Sequence, residues 1–73
     1  MKDKIKAAMK EVFGEEISDD YSKESTDKWD SLMHLDLIVK LEEEFNVSFT
    51  PDEIGSIESY RDIEKILNEK NEQ

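Results

Sequence analysis

The chain has 73 residues, no cysteine, and twenty acidic against ten basic residues, a net charge of −10. A chain this short buries only about 60% of the surface its unfolded form exposes, which leaves little room for a deep catalytic cleft, and the lack of cysteine excludes disulfides, thiolate metal sites and a cysteine nucleophile. The charge argues against nucleic acid and anionic membranes as partners and favours basic protein surfaces, met through salt-sensitive encounters.

Lys2, Asp3, Lys4 and Lys6 interrupt any apolar start, so nothing resembles a signal peptide. No segment approaches the roughly 20 apolar residues of a membrane span. These features predict one soluble domain over residues 1–73, in a reducing, cytoplasmic compartment and without any pattern that calls for an oligomer.

Residues 2 to 14 read as an amphipathic helix, with Ile5, Ala8, Met9, Val12 and Phe13 on one stripe. Gly14 is a suitable stop, because glycine takes a left-handed conformation without a Cβ penalty. Residues 15 to 28 carry no sustained periodicity and predict a long loop, anchored by Ile17 and Tyr21. Asp19, Asp20, Asp27 and Asp30 invite a calcium reading, but the alternating ligands, central glycine and terminal glutamate of an EF-hand loop are missing.

A central helix follows, from about Trp29 to Phe45, capped by Asp30 or Ser31 and closed by Asn46. Leu37, Ile38, Leu41 and Phe45 form its core stripe. Leu32, Leu35 and Val39 form a second apolar strip interleaved with Asp36, Glu42 and Glu43, while Met33, Lys40 and Glu44 are expected to point elsewhere. A second strip edged by acids marks a surface for a partner. Val47 and Phe49 then predict an extended connector tucked under the core.

Thr50-Pro51-Asp52-Glu53 is a helix start, with Thr50 and Glu53 forming a capping box and proline suited to the first helical position. Gly55 keeps this helix short, and Ile54 and Ile57 pack inward. Ser59 begins the last helix, with Tyr60, Ile63, Ile66 and Leu67 on one face and Asp62 in its first turn. From Asn68 onward the tail is polar and is expected to fray.

Catalysis by these residues is not expected. Ser31 and His34 lie three apart on a helix and can in principle meet, yet no strained glycine elbow or oxyanion loop accompanies them. His34, the only histidine, falls toward the core stripe and reads as structural. One histidine and no cysteine leave no metal site of catalytic spacing. The Glu42-Glu43-Glu44 run opposes the helix dipole, which hints at a use outside folding. On local physics alone Ser31 reads as a cap, but a helix N-terminus also suits a phosphate attached there.

Asp30-Ser31-Leu32, the acid at Asp36 and the stretch Leu41-Glu42-Glu43-Glu44-Phe45, taken with the acidity, size and helix order, resemble the prosthetic-group motif and second helix of acyl carrier proteins. The likeness covers nearly the whole chain. It implies an all-α, four-helix bundle of acyl-carrier type, with a short third helix and a long loop after the first. It implies that a phosphopantetheinyl transferase attaches 4′-phosphopantetheine from coenzyme A to Ser31, beside Asp30, through a phosphodiester. The thiol of that arm would hold an acyl group as a thioester, so the missing cysteine is supplied from outside.

The same resemblance assigns Leu32, Leu35, Asp36, Val39, Glu42 and Glu43 to a docking face for basic patches on acyl ligases, synthases or transferases, and lets the core stripe border an acyl pocket. A competing role for Leu35 and Val39 is to cover the underside of the long loop. Lys28 and Trp29 stand where the commonest fatty-acid members have Gly-Ala, Met33 replaces a frequent acid, and Lys40 adds a positive charge. The Trp-Asp-Ser-Leu form is similar to specialised carriers serving dedicated clusters. Trp29 either shields the attachment point or staples the loop to the core, and its large area favours the staple. Two other roles stay open: an aminoacyl or peptidyl carrier, including a D-alanyl carrier, and an unmodified acidic helical adaptor.

Overall fold

The computed structural model describes residues 2–71. They form four helices, α1 (Lys2–Phe13), α2 (Ser31–Phe45), α3 (Pro51–Ser56) and α4 (Tyr60–Asn71), with a single 3-10 turn at Lys23–Ser25 in the first connection. No strand occurs among the described residues, and the expected all-α bundle with a long first loop and short third helix is what forms. No described helix is long and apolar enough to cross a membrane.

Local chemistry sets the helix ends. Gly14, at φ 71°, sends its N–H back to the Lys10 carbonyl at 2.7 Å and stops α1 at Phe13. Lys28 adds its ammonium to the Phe13 carbonyl at 3.3 Å, a cation at the negative end of the helix. Asn46 closes α2 in the left-handed region at φ 54°, with its N–H on the Glu42 carbonyl. In α3, Thr50 Oγ1 accepts from Glu53 N–H at 3.1 Å and Glu53 accepts from Thr50 N–H at 2.9 Å. Ser59 Oγ accepts from Asp62 N–H at 3.1 Å at the mouth of α4.

The core draws on α1, α2, α4 and the connections between helices, with Ile54 of α3 packed half-buried against it. Ile5, Met9, Leu37, Leu41, Ile63 and Leu67 are fully buried, joined by Ile17 and Tyr21 of the loop and by Phe49 and Ile57 of the two later connections. The long loop is therefore not a slack tether. Tyr60 N–H donates to the Tyr21 carbonyl at 2.8 Å and Lys23 N–H to the Glu58 carbonyl at 3.0 Å, which stitch the loop to the start of α4. Asp19 pairs with Lys2 and Lys6, Asp20 pairs with Arg61 at 3.1 Å, and Asp30 caps α2. Three of the four aspartates that invite a cation reading, Asp19, Asp20 and Asp30, thus have separate structural partners, and no group of metal-ligating side chains occurs among the described residues.

Three expectations need correction, and a fourth, Phe45 on the core stripe, holds with its ring packed against the core. Helix α4 continues through Asn71, so residues 68–71 of the polar stretch add helix instead of fraying, and residues 72–73 lie outside the described residues; Lys70 anchors the helix on α3 through Glu53 at 2.8 Å and lies over the Phe49 ring at 5.5 Å. Met33 does not point away but packs half-buried against the core, because it stands one turn before Leu37 on the same side of the helix. Lys40 turns toward α1, where it pairs with Glu11, and also with Glu44 at 3.2 Å. Phe45 is only half-buried and is covered by Lys4, 4.9 Å from its ring centre.

Candidate functional site around Ser31

The site is built outward from Trp29, the residue just before the α2 cap. Trp29 is buried against Phe13 and Tyr21, with ring centres 5.1 Å and 6.2 Å away. Tyr21 in turn donates its hydroxyl to Glu15. Burial and then that carboxylate push the Tyr21 phenol up to about 12, and the same hydrogen bond holds Glu15 below the usual carboxylate range. The Trp29 indole N–H donates to His34 Nδ1 at 2.9 Å, and His34 Nε2 lies 2.8 Å from the Ile54 carbonyl. An indole nitrogen only donates and a carbonyl only accepts, so neutral His34 carries its proton on Nε2. Both nitrogens are engaged, and neither is free to serve Ser31 as a base.

With Trp29 fixed, the next two residues have defined places. Asp30 is extended at φ −101°, and its carboxylate accepts from Met33 N–H at 2.9 Å, so the aspartate is the cap. Ser31 is therefore the first residue of α2 and not the cap. It is exposed, and its hydroxyl has no hydrogen-bond partner among the described residues. It stands at the positive end of a 15-residue helix, where unpaired backbone N–H groups face outward. Around it lies a surface groove of about 470 Å³ lined by Lys23, Trp29, Asp30, Ser31, His34 and Leu35.

The sequence matches the family model described as the phosphopantetheine attachment site over residues 3–68. The chain belongs to this family. No curated protein and no solved structure is significantly similar to it. The family's prosthetic group is covalent 4′-phosphopantetheine, and its carrier domains meet phosphopantetheinyl transferases and biosynthetic enzymes. The residues here fit such a group: a hydroxyl without a hydrogen-bond partner among the described residues faces solvent at a positive helix end, and a groove adjoins it.

The phosphopantetheine-binding fold also sets out the rest of α2. Leu32, Leu35 and Val39 are 68%, 58% and 54% exposed, so Leu35 and Val39 do not cover the long loop. Asp36 and Glu43 are exposed beside them without a cation partner among the described residues. Glu42 departs from this strip. It is half-buried, and its carboxylate accepts from Phe49 N–H at 2.9 Å, holding the extended connector after α2. The strip instead extends onto α1, through a groove of about 620 Å³ lined by Glu11, Val12, Asp36, Val39, Lys40 and Glu43. Sequence reading also missed Lys23 and the Ile54 carbonyl at the site. Both lie in segments whose position relative to Ser31 no local pattern encodes.

Proposed function

We propose that this protein is a carrier, not an enzyme, and that the Ser31 hydroxyl is the oxygen to which 4′-phosphopantetheine is joined. The observation that carries the reading is the division of labour at the helix mouth: Asp30 does the capping, and Ser31 is left exposed with an uncommitted hydroxyl. Once bound, the group supplies a terminal thiol that holds a carboxylic acid as a thioester. The chain's own residues then orient and present: Trp29 and His34 keep the start of α2 rigid, and the helix dipole favours the negative phosphodiester.

Delivery rests on the exposed strip. Leu32, Leu35 and Val39 offer apolar contact, and Asp36 and Glu43 steer basic patches of the transferase and of acyl ligases, synthases or transferases. The cargo proposed is an acyl group, as in fatty-acid, polyketide or specialised biosynthesis. The deciding experiment is intact mass after incubation with a phosphopantetheinyl transferase and coenzyme A. A gain of one phosphopantetheine is expected, absent in Ser31→Ala; an unchanged mass with an enzyme competent on another carrier would overturn the reading. Loading of the holo form by an acyl ligase, set against an aminoacyl ligase, decides the cargo class.

A further inference from the structure

Lys23 has no evident task in the fold. It opens the 3-10 turn of the first connection, is exposed, and its ammonium has no carboxylate partner among the described residues. Its backbone, however, is pinned. Lys23 N–H donates to the Glu58 carbonyl at 3.0 Å, and the neighbouring bridge pairs Ser22 with Ser59. The side chain is thus based at a fixed point on the rim of the groove that contains Ser31.

The other groove residues are already engaged or apolar. Asp30 accepts from Met33 N–H, the Trp29 indole N–H is taken by His34, and both His34 nitrogens are occupied. Leu35 is 58% exposed with nothing over it. What remains is one uncommitted cation at the rim and an apolar wall formed by exposed Leu35, with the edge of the buried Trp29 ring beside it. A phosphodiester followed by a branched dimethyl segment has the matching order of charge and apolar bulk.

We propose that Lys23 pairs with the phosphodiester carried on Ser31, and that the dimethyl segment of the arm lies against Trp29 and Leu35. This rests on Ser31 as the attachment point. Lys23 is a positioning residue: it biases the arm toward the groove instead of leaving it free in solvent. An exposed pair of this kind is modest and screened by salt, so the bias is released as ionic strength rises or when a partner competes for Leu35.

The test uses the holo protein, first verified by intact mass. Nuclear Overhauser contacts are then measured from the arm's geminal methyls to the Trp29 ring and the Leu35 methyls. We expect contacts to both, reduced at least twofold in Lys23→Ala holo protein and by high salt, and retained in Lys23→Arg. If the mass is gained but the methyls touch neither residue, or if Lys23→Ala leaves the contacts at full intensity, the groove proposal is overturned while Ser31 attachment stands. If no mass is gained, attachment itself fails and the groove proposal falls with it.

Discussion

Trp29 and His34 are joined twice: the indole N–H donates to Nδ1 at 2.9 Å, and the two rings stack at 26° with centres 6.1 Å apart. Through His34 Nε2 and the Ile54 carbonyl the link continues to α3, and through Phe13 and Tyr21 it reaches α1 and the long loop. Four segments distant in sequence therefore converge on the residue two places before Ser31. Trp29→Phe keeps most of the ring but leaves Nδ1 without its donor, and should cost about 1–3 kcal/mol in urea unfolding. Trp29→Ala should cost about 3–5 kcal/mol, comparable to the whole net stability of roughly 3–5 kcal/mol that so small a core supplies, and should leave the chain largely unfolded. An unchanged midpoint for the phenylalanine variant would mean that the hydrogen bond contributes nothing.

Asp30 separates capping from charge at the mouth of α2. Asp30→Ala removes the acceptor for Met33 N–H and should lower stability by about 1 kcal/mol. Asp30→Asn retains an acceptor oxygen and should unfold within a few tenths of the wild type. Thermal melts of the two variants distinguish them. Equal losses in both would show that the carboxylate's charge, and not its hydrogen bond, supports the helix mouth.

The exposed acids of α2 are expected to matter for encounters and not for folding. Asp36 and Glu43 make no ion pair with a described residue, so their reversal to lysine together should leave far-ultraviolet circular dichroism nearly unchanged. Loading by the transferase should slow about tenfold or more at low salt, and its salt dependence should flatten. Equal rates at 20 mM and 300 mM salt for wild type and variant alike (concentrations on the order of those that bracket physiological screening) would remove this face from the docking surface.

Two buried phenols set the alkaline limit. Tyr21 and Tyr60 are each raised from 10.0 to about 12, burial being the main cause and the carboxylates of Glu15 and Glu64 the next. The unfolded chain releases these protons first, so stability present below pH 10 is lost as pH climbs toward 12. Melting temperatures should fall steeply across that window, and Tyr21→Phe should shallow the fall. At the acid end, Asp19 is held below its usual range chiefly by Lys6, and Glu53 chiefly by Lys70, so their contributions disappear as pH drops through the carboxylate range.

What could be read along the chain was what a few neighbouring residues determine together. The period of Ile5, Ala8 and Met9, the glycine at 14, the Thr50 to Glu53 box and Asn46 each act within one or two turns, so the helices and most of their ends follow from sequence. The resemblance carried jointly by Asp30-Ser31-Leu32, Asp36, the Leu41 to Phe45 stretch, acidity, size and helix order named the family, and the match over residues 3–68 agrees with it. Whether aspartate or serine capped α2 was undecided locally, since both side chains can accept the same N–H groups; the extended backbone at Asp30 decided it. Glu42 reaching Phe49, Lys40 reaching Glu11, the tie from His34 to Ile54 and Lys23 beside Ser31 depend on how helices and loops are set against one another. Those placements arise from packing the helices and their connections around one core, and only the folded structure brings them together.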